Sequence, residues 1–264
     1  MPRPYPAPVA TDVLAALDRQ EAHLRTLRAE LKVDYFGNEG RIKGTVAVLA
    51  DRQGTFRLDT VSPLGTSLST TVSDGSSLWI LDARSDRFYA GPATACTVAS
   101  IIGVPLPVRQ LVAVLFGVVP RINPASTGAP GVTQAATLWW DAERGREQLH
   151  IVGENGLAQT LELTRVGARW RVERSELRNA QGRPLHRMTL EDFQWVESAQ
   201  GELPTRVELD RPEGAQGPSN VRIRLISRQV NGAVESDAFS LPVPAGMVPT
   251  PLRCGGGAGR GALR

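Results

Sequence analysis

The chain has 264 residues, 41% of them hydrophobic and 22% charged, with a formal net charge of +3. That is ordinary for a globular protein, and the arginines are scattered among Asp and Glu, as in the run 162–178, with Lys32 and Lys43 the two lysines. No block of like charge makes a nucleic-acid footprint, and no run of about 18 apolar residues could span a bilayer as a helix.

The opening Met1-Pro2-Arg3-Pro4-Tyr5-Pro6-Ala7-Pro8 predicts a stiff, extended tether over residues 1–10. Such tethers separate a lipid-bearing cysteine from a folded domain, and Met1 is read as standing where that cysteine would be. An ordinary N-terminus is the equal alternative. Residues 11–27 predict an amphipathic helix capped by Thr11 or Asp12, with Val13, Leu14, Leu17, Leu24 and Leu27 on one stripe.

The pattern then changes to period two. Strands are predicted around Leu31–Tyr35, at 42–49, through Phe56, Leu58 and Thr60, through Leu68, Thr70 and Val72, at 78–81 and at 87–89. Short turns separate them, including Asp74-Gly75, a hairpin type that suits strand twist. Thr94 can cap a helix to about Ile102. After Gly103, Pro107 can start a second helix whose surface, with Leu111, Val112, Val114, Leu115 and Phe116, is almost wholly apolar. Residues 119–132 read as a mobile Pro/Gly-rich loop. Further strands are predicted at 135–140, 148–152, 157–165, 169–177, 185–196, 206–209, 221–227 and 234–239, and residues 254–264 form a Gly-rich tail expected to be disordered.

This succession predicts a mainly β, α+β fold over residues 11–253: an incomplete, curved antiparallel β-barrel with a helical lid enclosing a hydrophobic cavity. Val46, Leu58, Leu78, Ile80, Ile101, Ile102, Leu111 and Leu115 are the candidate lining residues. Cys96 and Cys254 form an even pair that an oxidising compartment would bridge, closing a loop of about 160 residues for roughly 4–5 kcal/mol in the chain-entropy model. Two unrelated thiols are the other reading.

Catalytic signals are sparse. His23, His150 and His186 are isolated in sequence, no Gly-x-Ser-x-Gly surrounds a serine, and no spacing suits a metal. No enzyme, metal or cofactor is expected. The distinctive motif is Pro63-Leu64-Gly65, a tight turn with a leucine at its tip, where Asp, Asn or Ser is usual. Leu64 can either enter a lipid interface, gaining roughly 1.5–3 kcal/mol by burial, or fold back onto the lid.

The order of features resembles the LolB-like and LolA-like family of outer-membrane lipoprotein-handling proteins, LolB in particular. The residues that carry the resemblance are Pro63-Leu64-Gly65, Asp74-Gly75, Gly103-Val104-Pro105-Leu106-Pro107 before an apolar helix and Gly117, and the run 201–209 followed by the strand at 221–226. It covers residues 11–119 closely and the remainder loosely. It implies acyl chains of lipoprotein or lipid held in the cavity, a periplasm-facing anchor at the outer membrane, and a periplasmic carrier as a possible partner. It also implies a membrane-contact role for the loop of Pro63, Leu64 and Gly65 at the inner leaflet. The loop at 119–132, the two cysteines and the Gly-rich tail depart from the family pattern. A scaffolding lipoprotein of an envelope complex, with a filled interior and no lipid cargo, is the competing expectation.

Overall fold

The computed structural model describes residues 1–37, 40–62, 65–102, 105–125, 135–212, 217–235 and 237–252. The first meander runs β1 (Thr26–Gly37), β2 (Gly40–Asp51), β3 (Thr55–Val61), β4 (Ser67–Ser73), β5 (Ser77–Asp82) and β6 (Arg87–Pro92). The second runs β7 (Ala136–Asp141), β8 (Arg146–Val152), β9 (Ala158–Val166), β10 (Arg169–Arg178), β11 (Pro184–Val196), β12 (Gly201–Arg211) and β13 (Ser219–Val230). Helix α1 (Ala10–Glu21) precedes the first meander. Helices α2 (Ala95–Ile102) and α3 (Val108–Leu115) join the two, and a short β14 (Thr250–Pro251) comes last.

The fourteen strands among the described residues form one sheet, in the order β14-β6-β5-β4-β3-β2-β1-β13-β12-β11-β10-β9-β8-β7. Every pairing is antiparallel except that of β14 with β6. The meanders meet where β1 pairs with β13, Val33 opposite Ile223. The sheet is strongly curved and open, with β14 and β7 as its margins. This topology explains the lid: β6 and β7 lie near opposite margins, so the chain between them must cross the sheet, and it crosses the concave face.

Local chemistry sets these elements. At the β4–β5 turn, Gly75 takes a positive φ of 94° and the Asp74 carboxylate accepts from the backbone N–H of Ser76 and Ser77 at 2.8 and 2.7 Å. Asn155 and Gly156 both adopt positive φ between β8 and β9, as an Asn-Gly hairpin requires. Thr94 caps α2: the Thr97 N–H donates to Thr94 Oγ1 at 3.3 Å, and the Thr94 N–H donates to Thr97 Oγ1 at 3.0 Å. The β1–β13 register shifts at Glu30/Leu31, and such bulges sharpen sheet curvature.

Four sequence expectations need correction. The first helix ends at Glu21, not residue 27. Leu24 and Leu27 belong to a different buried cluster from Val13 and Leu17, and Leu27 begins the period-two run Leu27, Ala29, Leu31 of β1. The described residues of the expected strand at 234–239 (234, 235 and 237–239) are not in a strand. Asn231, at φ 62°, turns the chain out of β13, its side-chain amide donating to His23 O at 2.7 Å and Ser198 O at 2.6 Å. The first part of the loop at 119–132 is docked: Val119 and Ala125 are buried, and Gln159 grips the backbone through Pro120 O (2.8 Å) and the Ile122 N–H (2.9 Å). The tether over residues 1–10 is extended but also docked. Arg3 makes a two-pronged ion pair with fully buried Glu147 at 2.7 and 3.0 Å, and Tyr5 stands edge-on to Trp140 and Trp170.

The Cys96–Cys254 bridge falls on Cys254, which lies outside the described residues, as does the tail 254–264. Short of it, β14 pairs with β6, and the Leu252 N–H donates to Ala90 O at 2.8 Å.

Candidate functional site

The concave face carries two buried clusters. Over β8 to β11, large inward side chains such as Leu149, Ile151, Leu161 and Leu163 meet Val13 and Leu17 of α1, and a small pocket of about 80 Å³ remains beside Leu17, Trp170 and Leu190. Over β1 to β4 the inward positions are smaller: Gly44 on β2, Thr60 on β3, and Ser69 and Thr71 on β4. Helix α3 lies against β2 and β3 but does not fill the space they leave.

The result is a cavity of about 680 Å³, within the usual range for ligand pockets. Its floor is Leu31, Val33, Val46 and Leu58; its roof is Leu106, Leu111, Val114 and Leu115. Leu209, Val221 and Ile223 close the side towards β12 and β13. The lining draws on the end of β1, the start of β2, the end of β3 and the start of β4, so the cavity occupies the end of the sheet where those hairpins turn. The other end is stopped by Leu27, Ala50, Phe56 and Leu78, all fully buried. The wall is mainly apolar, with a few hydroxyls, and Lys32, Asp34, Lys43, Arg84, Arg206, Arg222 and Arg224 also border it; its apolar part holds a ligand by non-directional burial rather than by a hydrogen-bond code.

No protein-family model matches the chain, and no curated protein matches it. Solved structures do. A LolA superfamily protein from Nitrosomonas europaea superposes with a TM-score of 0.52 at 10% identity, covering 89% of this chain and 99% of that one. A Vibrio parahaemolyticus domain named for outer membrane lipoprotein sorting gives 0.52 at 10% identity, covering 88% and 97%. A DUF1329 family protein from Desulfovibrio piger gives 0.57 at 9% identity, covering 88% and 95%. The fold is LolA-like. The likeness is to the LolA superfamily architecture, not to LolB specifically.

Within this LolA-like fold, four expected lining residues, Val46, Leu58, Leu111 and Leu115, line the cavity. Leu78 and Ile80 do not: both are fully buried in the cluster that stops its closed end. Ile101 and Ile102 are in α2, and their side chains are outside the described residues. So are Pro63 and Leu64 of the loop. The feet of that loop are placed. Ser62 lines the cavity, its N–H donates to Thr66 O at 2.8 Å, and exposed Gly65 takes a φ of 81°. Ser62 thus sets one foot of that loop at the rim of the hollow.

Gly44, Thr60, Ser69 and Thr71 are lining positions that a search for apolar residues passes over. The usable signal was small or hydroxyl residues at positions where period two points inward. Asp34, at the border of the cavity, is held below the usual carboxylate range, chiefly by the hydrogen bond from Arg41. Among the described residues, no three His, Cys, Asp or Glu gather as a metal site, and no helix is long and apolar enough to cross a membrane.

Proposed function

We propose that this protein binds lipid or lipoprotein acyl chains in the bacterial cell envelope. It would hold them in the cavity between β1–β4 and α3 and pass them to or from the outer membrane, working on its periplasmic side. The single observation that carries this reading is the unfilled apolar hollow of about 680 Å³. Each buried CH₂ contributes roughly 0.8 kcal/mol, so an apolar lining suffices for capture. Release needs only a bilayer that solvates the chain slightly better. No bond is made or broken, and we assign no catalytic residue. The scaffold alternative requires a filled concave face, a condition met over β8–β11 but not over β1–β4.

Gly44→Phe tests the cavity. The Gly44 φ is not in the left-handed region, and a Cβ there would meet only Thr60 Cγ2, at 3.6 Å, so the ring has room to enter the hollow. The variant is expected to fold and to lose uptake of a fluorescent fatty-acid probe by about tenfold or more, the loss of some 1.4 kcal/mol of binding. Full uptake by a folded Gly44→Phe protein would remove the cavity from the mechanism. Leu64→Glu tests the loop and should slow delivery to vesicles while leaving uptake intact. For the compartment, we propose that Cys96 and Cys254 are bridged; thiol titration of the unreduced, denatured protein should then find no reactive thiol.

A further inference from the structure

Just beyond the cavity's lining, the inner face carries a guanidinium that makes no ion pair among the described residues. Arg211 is the last residue of β12 and is 8% exposed. It follows Val207 and Leu209 on the inward side, and Leu209 lines the cavity. Two residues along a strand is about 7 Å, so Arg211 sits at the edge of the hollow. Its Nη2 donates to Gly217 O at 3.2 Å, while Nε is buried without a partner.

A second orphan stands beside it. The β11–β12 register pairs Met188 with Leu209 and Arg187 with Asp210. Continued by one residue, it places His186 opposite Arg211, on the same inward face as Met188. His186 Nδ1 is also buried without a partner. Burial pushes this imidazole below its ordinary value, so it is neutral near pH 7 and has one N–H to donate.

Among the described residues, three carboxylates at this end of the sheet already have partners, Asp34 at the border of the cavity included. Glu176 binds Arg187, Glu208 binds Asn220 and Arg222, and Asp34 binds Arg41. Among the described residues, the inward neighbours are Leu177, Met188, Leu209, Ser219 and Val221, none of them acidic. A buried cation is ordinarily paired or holds a ligand, and a guanidinium is the side chain best shaped for a planar or tetrahedral oxyanion.

We propose that Arg211, with His186 beside it, binds the oxyanion of an anionic lipid headgroup whose chain lies in the cavity. The proposal rests on the acyl-binding reading and narrows it: the preferred ligand is an amphiphile ending in phosphate or carboxylate, not a neutral one.

Three amphiphiles of one chain length separate the two claims: dodecyl phosphate, dodecanoate and dodecanol, titrated calorimetrically against the full chain. Dodecanol uptake reports on the cavity alone, and its absence together with that of the others would end the acyl-binding reading. The wild type should bind the two anions roughly ten- to a hundredfold more tightly than dodecanol, the range for hydrogen bonds to a charged group. Arg211→Met should abolish that preference and leave dodecanol unchanged, and Arg211→Lys should keep part of it. Equal binding of all three by the wild type overturns the proposal, as does an undiminished preference in Arg211→Met. Should Arg211→Met fail to fold, the wild-type ratio and Arg211→Lys decide. Inorganic phosphate alone should bind far more weakly than dodecyl phosphate; equal affinity would make free phosphate the ligand and overturn the lipid assignment.

Discussion

The two halves of the concave face are made from the same kind of strand, yet one is packed and the other is hollow. Over β8–β11 the inward row is mostly large, with Leu149, Ile151, Leu161, Leu163, Trp170 and Met188 beside buried Glu147, Gln159 and Ser175, and α1, the N-terminal segment and residues 119–125 are laid onto it. Over β1–β4 the inward row includes glycine, serine and threonine, and α3 stands off from it. The difference teaches that a cavity in a curved sheet is specified as much by small residues as by greasy ones. The filled half holds the frame, so the other half can stay open without the sheet collapsing.

Matched truncations should expose that division. Leu163→Ala, fully buried in the packed half, should cost about 3–5 kcal/mol. Leu115→Ala, which already borders empty space, should cost about 1 kcal/mol or less, because little new void is created. Urea unfolding of the two variants measures both, and equal costs would mean that the hollow is not empty in solution. Arg3→Met comes next. It strands Glu147, which is fully buried, and should cost about 3 kcal/mol, the low end for a broken buried pair because Arg3 is partly exposed. A negligible loss there would show that residues 1–8 do not hold the packed half.

A smaller effect is pH-dependent. Burial lowers the His186 pKa from 6.5, so the unfolded chain binds a proton more readily than the folded one. Stability from this group is complete above the unfolded value and declines as pH falls below about 6.5. His186→Gln should flatten that part of the profile, seen as a smaller difference between urea midpoints at about pH 7 and pH 5. Smallest of all, Asp34→Asn removes a solvent-accessible pair with Arg41 and should leave the melting temperature within experimental scatter.

Much of the frame was legible because alternation is local. Phe56, Leu58 and Thr60 announce β3 and its inward face from sequence alone, and Asp74-Gly75 and Asn155-Gly156 mark their hairpins. The boundary of α1 was not legible, because Leu24 and Leu27 fit a helical stripe as well as the start of a strand. Only the pairing of β1 with β2 and β13 separates the two. Leu78 and Ile80 read as lining because they are apolar and inward, yet whether an inward residue meets space or another side chain depends on what crosses above it. The docking of Tyr5 between Trp140 and Trp170 joins residues more than 130 positions apart, beyond the reach of any periodic pattern. Arg211 and His186 become noteworthy only when strand register puts them side by side.

The margins of the sheet, β14 and β7, are never hydrogen-bonded to each other. A sealed cylinder fixes its bore through strand number and stagger, whereas a seam left unstitched lets the bore change by flexing. On the acyl-binding reading proposed above, wider or narrower chains would then be admitted with every backbone ladder intact, the sheet breathing like a cupped hand.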